Sequence, residues 1–189
     1  MLKKIGYSNQ ISSNPKEIES AEKLILPGVG SFDKGMENLH HLNLVEALNN
    51  AVLKKKTPIL GICLGMQLFC KNSEEGVLPG LGWVSAEVVR FNFKDLKTNT
   101  VKIPHMGWAE VEIKKTECLF RSSDHDLRFY FVHSYYLVNQ NLADISATCY
   151  YNKEFTAAIE YGNIMGVQFH PEKSHKFGMS LLKNFASKI

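Results

Sequence analysis

The chain has 189 residues, 44% of them hydrophobic and 22% charged, with a formal net charge of +3; this suits one domain with a sizeable core and excludes a disordered chain. So small a positive excess makes no nucleic-acid footprint, and the densest basic run, Lys54-Lys55-Lys56, reads as a solvated helix end that complements the dipole. Lys3-Lys4 is followed by no apolar signal segment, no uncharged run approaches membrane-spanning length, and the cysteines at 63, 70, 118 and 149 lack zinc-site spacing and a secretory context.

Lys23-Leu24-Ile25-Leu26, ended by Pro27-Gly28, has the pattern of a buried strand entering a loop. Asp33 is placed to cap a helix, and Met36, Leu39, Val45, Leu48 and Val52 keep helical spacing through residue 55, with a break near Asn43. Thr57 to Ile62 is the next buried strand. Strand, helix, strand with continuous apolar strands predicts a parallel sheet covered by helices, whose active site lies beyond the strands' C-terminal ends. Segments at 83–92, 109–113, 128–132, 144–151 and 154–161 are β-rich and predict a mixed or antiparallel extension. Ile164 to Phe169 is a last buried strand, and Phe177, Leu181, Leu182 and Phe185 form one face of a closing helix. No linker divides the chain, so a single domain over residues 1–189 is expected.

Gly61-Ile62-Cys63-Leu64-Gly65-Met66-Gln67, at the end of the second strand, reads as a nucleophile elbow. Glycines two residues to either side of Cys63 permit a sharp strand-to-helix turn that exposes the thiol, and a helix starting at Leu64 would aim N–H groups at the sulfur. The competing reading is a cysteine that fills the core, which is the reading for Cys70, Cys118 and Cys149. His170 leaves the last strand in Phe169-His170-Pro171-Glu172 and can reach the same rim, with Glu172 accepting from the second ring nitrogen. Cys63, His170 and Glu172 then form a triad of nucleophile, proton carrier and orienting carboxylate. Taken alone, Pro171-Glu172 is equally a proline-marked helix start.

Among the other histidines, His40-His41 reads as helix surface, His125 and His175 lie in polar surroundings, and His105 falls in a loop. Only His133, at a strand end in Phe131-Val132-His133-Ser134-Tyr135, competes as a base, substrate contact and a satisfied structural role being equally open. Pro27-Gly28-Val29-Gly30 can turn backbone N–H groups toward an anion, although it matches no phosphate-loop pattern.

Together, Leu26-Pro27-Gly28-Val29-Gly30-Ser31-Phe32, the Cys63 elbow, Pro104-His105-Met106-Gly107-Trp108, Phe131-Val132-His133-Ser134-Tyr135 and Gln168-Phe169-His170-Pro171-Glu172-Lys173-Ser174 closely resemble the class I glutamine amidotransferases. Within them they resemble the family of the glutaminase subunit of imidazole glycerol phosphate synthase. The resemblance implies a three-layer, flavodoxin-like α/β fold with a central, mostly parallel sheet and an antiparallel extension. It implies that Cys63 attacks the side-chain amide of glutamine, with an oxyanion hole at Val29 and Leu64 and glutamine held by Gly30, Gln67, His133, Ser134 and Tyr135. It implies no cofactor or metal, and ammonia passing to a (β/α)8-barrel synthase partner that makes imidazole glycerol phosphate for histidine biosynthesis; with neither signal nor spanning segment in the sequence, a cytoplasmic location is the default expectation. Trp108, Met106 and Lys173 fall at the family's partner interface, a core position being the alternative for Trp108.

Two departures stand out. Ala109 replaces an asparagine usual in the family, which puts one polar interface contact in doubt. The family also begins with an apolar strand, an Asp-Tyr-Gly-x-Gly-Asn loop and most of a helix, none of which is in this sequence. If that strand belongs between the strands at 23–26 and 57–62, these two are left without their shared neighbour, and a poorly stable, inactive product or a start upstream of Met1 is expected. Two further readings follow from the departures: a paralogue that supplies ammonia for surface-sugar biosynthesis, and a non-catalytic scaffold subunit.

Overall fold

The computed structural model describes residues 1–93, 101–121 and 126–187. The first apolar run forms β1 (Leu24–Gly28) and the second β2 (Ile59–Cys63), buried along its whole length. The last, β9 (Ile164–Val167), is likewise buried. These three run parallel in the order β1-β2-β9. Continuous burial of β2 and β9 explains their unbroken apolar sequence, since both faces are covered there, whereas β1, at the edge of the sheet, is fully buried only at Leu24.

The sheet continues from β9 through antiparallel strands: β8 (Glu154–Tyr161), β7 (Ile145–Tyr150), β4 (His105–Ile113) and β5 (Arg128–His133). A side branch pairs β3 (Ala86–Arg90) with β6 (Tyr135–Asn139), and β6 meets β8 at Leu137 and Thr156. Two expectations change here. β6 was not read from the sequence as a strand of its own, and β4 starts four residues before the expected segment, so His105 sits in a strand rather than a loop. His105 pairs with His133 at the end of the β4–β5 ladder, which recruits the Pro104-His105-Met106-Gly107-Trp108 segment into the sheet.

Side-chain alternation along β2 sorts the core into two layers. Ile59 joins Leu24 and Ile164 under α1 (Pro15–Ser20), α2 (Phe32–His41) and α3 (Leu44–Asn49), against Ile18, Phe32, Met36, Leu39 and Leu48. Leu60 and Ile62 face the other way, with Met165 and Val167, against Leu181, Leu182 and Phe185 of α5 (His175–Ser187). Helix, sheet and helix make the three layers. The break between α2 and α3 falls at Asn43, whose φ of 56° is left-handed, and α3 runs on as a π-helical segment, Asn50–Lys54, before the exposed lysines.

Asp33 does not cap α2. Ser31 occupies the cap position, Phe32 N–H donates to Glu75 Oε2 at 2.8 Å, and Asp33 instead accepts from the backbone N–H groups of Val77 and Leu78. The expected gap between the first two apolar strands is also overturned. β1 and β2 pair directly over five positions, from Leu24 with Ile59 to Gly28 with Cys63, so each satisfies the backbone groups that the other presents. Cys70 and Cys149 are buried as expected, whereas Cys118 is only partly covered.

Candidate active site

β2 delivers Cys63 to the C-terminal edge of the parallel strands, beside Gly28 of β1. The turn there is sharp enough that Cys63 itself takes a left-handed φ of 53°, with ψ of −111°, a strained conformation that packing must enforce. The glycines on either side serve close approach rather than a positive φ. A Cβ on Gly65 would stand 1.8 Å from the Leu26 carbonyl oxygen, and one on Gly61 would meet Met66 backbone atoms at 2.7 Å. The helix that follows, α4 (Leu64–Gln67), is a single turn. Its contribution at the sulfur is therefore local N–H groups and not a long macrodipole.

His170 sits three residues beyond β9, its backbone N–H donating to the Tyr130 carbonyl at 2.9 Å, and is almost fully buried. Its Nδ1 lies 2.7 Å from Glu172 Oε1. Pro171–Lys173 is a short 3-10 turn with proline in its first position, so the proline-marked helix start and the contact of Glu172 with His170 occur together. His170 Nε2 is buried without a hydrogen bond of normal geometry. The Cys63 side chain, followed by Glu172, raises the His170 pKa to about 9 against the opposing effect of burial. Burial alone would raise Glu172, but the hydrogen bond from His170, its own backbone N–H and the charges of His170 and Lys173 together hold it below the usual carboxylate range.

Cys63 and His170 open onto a cleft of about 330 Å³. Val29, Gly30, Leu64, Gln67, His133, Ser134, Tyr135 and Lys173 line it with them. Val29 follows the last β1 residue and is highly exposed, and Gly30 has a φ of +105° that favours glycine. His133 is no free base: Nδ1 lies 2.7 Å from the Tyr135 carbonyl and Nε2 3.1 Å from His105 Nδ1. Burial pushes His133 down to about 3 and His105 to about 4, so both rings are neutral near pH 7. With Nδ1–H of His133 donating to a carbonyl, its Nε2 must accept, and His105 Nδ1–H must be the donor.

Two residues of this site escaped the sequence reading. Glu75 places a carboxylate in the cleft wall from a loop with no motif of its own. Gln168, fully buried, donates from Nε2 to Cys63 Sγ at 3.7 Å and accepts at Oε1 from Gln67 Nε2 at 3.0 Å. Its place two residues before His170, just past the end of β9, was the available signal.

Beside the cleft, Met106 and Trp108 project from the outer face of β4, 61% and 47% exposed, which removes the core reading of Trp108. His175 stacks parallel to the Trp108 ring at 5.6 Å, Tyr130 meets it edge-on, and the Lys173 ammonium lies over Tyr130. Ala109 faces inward and packs on the aromatic core layer. The missing asparagine therefore costs the Met106 and Trp108 face no polar group. His40 and His41 are exposed, and His125 lies outside the described residues.

The sequence pattern of the family described as glutamine amidotransferase class-I matches residues 1–189. The imidazole glycerol phosphate synthase subunit HisH 2 of Methanococcus maripaludis is 51% identical over 185 residues, covering 98% of this chain and 90% of the relative. Its Pseudomonas aeruginosa counterpart of the same name is 47% identical over 189 residues, covering 100% and 92%. A crystal structure of a glutamine amidotransferase superimposes with a TM-score of 0.68 at 17% identity, covering 97% of this chain and 87% of that one, which speaks for the fold alone.

Proposed function

The chain belongs to the class I glutamine amidotransferase family, and from that premise we propose that it is the glutaminase subunit of an imidazole glycerol phosphate synthase. The observation that carries this reading is the convergence of Cys63, His170 and Glu172 at one end of the parallel strands, over a cleft of a size for an amino acid. Its whole chain acts as one domain and works with a second subunit.

Chemistry starts from a protonated His170 beside the reacting thiolate of Cys63. Sγ attacks the side-chain amide carbon of glutamine, and the oxyanion is met by N–H groups of Leu64 and Val29, each worth about 3–4 kcal/mol in the transition state. The carbon–nitrogen bond then breaks as His170 Nε2–H protonates the leaving nitrogen, giving ammonia and a glutamyl thioester. Water attacks the thioester and gives its proton to the now neutral His170. The carbon–sulfur bond breaks, and glutamate leaves with the thiolate and imidazolium restored. Glu172 holds Nδ1–H throughout, so that Nε2 stays turned to the sulfur.

Glu75 supplies a carboxylate for the substrate's α-ammonium group, and Gly30, Gln67, His133, Ser134 and Tyr135 complete the wall that holds glutamine. Ammonia passes to a (β/α)8-barrel synthase subunit seated on the face of Met106, Trp108 and Lys173, in the cytoplasm. The test is a glutaminase assay combined with mass spectrometry after treatment with a glutamine-like alkylating analogue. Modification is expected at Cys63, and Cys63→Ala is expected to abolish turnover. Modification of Cys70, Cys118 or Cys149 with Cys63 untouched refutes the assignment.

A further inference from the structure

A continuous run of hydrogen bonds leads from the sheet extension to the sulfur of Cys63. The Tyr135 carbonyl accepts from His133 and, at 3.2 Å, from Gln67 Nε2. A carbonyl can only accept, so the Gln67 atom facing it is the NH2 group. That same group reaches Gln168, which must therefore present Oε1 to it. The Gln168 amide has no choice of orientation left, and its NH2 points at Cys63 Sγ.

We propose that Gln168 is a further catalytic residue, whose buried amide donates a hydrogen bond to the Cys63 thiolate, and that Gln67 and His133 act as positioning residues that prevent this amide from flipping. The inference rests on the reading of Cys63 as nucleophile. A thiol sulfur is a weak acceptor, but a thiolate in a buried site gains from a fixed donor, because charge-assisted bonds are about twice as strong as neutral ones. Gln168 is fully covered, so water cannot take over the role. With His170 on Nε2 and Gln168 on its amide, the sulfur has a mobile proton carrier and a fixed neutral donor. The neutral donor remains after His170 has given its proton to ammonia. It then steadies the sulfur as a leaving group when the thioester is hydrolysed.

Iodoacetamide is the probe, because its reaction with Cys63 needs thiolate and not a glutamine site. Gln168→Met keeps length without a donor, and Gln168→Glu keeps the acceptor facing Gln67 while setting a carboxylate against the sulfur. Alkylation of Cys63 at neutral pH, read by mass spectrometry on protein with a wild-type melting temperature, is expected to slow about tenfold in Gln168→Met and further in Gln168→Glu. The pH profile of Gln168→Glu is expected to move up by about one unit or more. Where a variant does not fold, 15N spectra of the wild-type protein serve instead. The Gln168 side-chain amide signal is expected to move across the pH range in which Cys63 alkylation accelerates. Rates within twofold of wild type in both folded variants, or an amide signal that stays still, overturn the proposal. If Cys63→Ala still abolishes glutamine turnover in that case, the nucleophile stands and only the role of Gln168 falls.

Discussion

Nδ1 of His170 and Oε1 of Glu172 are 2.7 Å apart across a single intervening proline. The contact fixes which ring nitrogen faces Cys63, and it spans so short a stretch of chain that the 3-10 turn of Pro171–Lys173 alone sets its geometry. Glu172→Ala is expected to lower kcat by about 10- to 1000-fold, less than His170→Ala or Cys63→Ala, because an orienting carboxylate does less than the base or the nucleophile. Steady-state glutaminase kinetics of the three variants check this order.

The contacts of His170 with Cys63 and Glu172 make stability depend on pH in a definite direction. His170 is raised to about 9 by Cys63 and Glu172, above the value of about 6.5 for an unfolded histidine. Its contribution is therefore complete below about pH 6.5 and is lost as pH rises through about 9. Melting temperatures of His170→Asn are expected to fall less steeply over that window than those of the wild-type protein. An equal slope in the two proteins contradicts the ion-pair assignment.

Acid acts through a different pair. Burial lowers His105 to about 4 and His133 to about 3, so their contribution is present above about pH 6.5 and is lost as pH falls through those values. His105→Phe, which can keep the stacking on Phe131 and Tyr151, is expected to resist acid unfolding better than wild type. Unfolding followed by circular dichroism between neutral and acid pH measures it.

The parallel strands and the meeting of Cys63, His170 and Glu172 were legible because each is written locally. β1, β2 and β9 are continuous apolar runs, and Cys63, His170 and Glu172 stand at or just past strand ends. What was hidden depends on long-range pairing. His105 looks like a loop residue beside Pro104 until β5 supplies its ladder, and Gln168 gains a meaning only when Gln67, 101 residues away, fixes its amide. The direct pairing of β1 with β2 was missed because strand order is not written in either strand.

Gly65→Ala tests the packing of the elbow. Its Cβ would lie 1.8 Å from the Leu26 carbonyl oxygen, a backbone atom that cannot rotate away. The variant is expected to lose about 3 kcal/mol or more of stability, at the upper end for overpacking. Urea unfolding read against wild type decides it, and a loss below about 1 kcal/mol means that β1 and α4 can separate.

Trp108 is expected to matter for association and little for folding. Nearly half exposed, it touches only His175 and Tyr130 among the ring contacts of the described residues, so Trp108→Ala leaves the core layers intact. A large aromatic at the centre of an interface carries about 2 kcal/mol or more. Binding of the proposed barrel subunit, measured by calorimetry, is expected to weaken by about 30-fold or more, with the melting temperature of the free chain nearly unchanged. The same face adjoins the cleft through Lys173, and the exposed Val29 and Gly30 are part of the cleft wall. Glutamine turnover is therefore expected to be low in the isolated chain and to rise when the barrel subunit covers the cleft and fixes that wall. Gly30→Ala, which burdens the φ of +105° with a Cβ, is expected to blunt the rise. Full turnover by the free chain, unchanged by the barrel subunit, refutes this coupling.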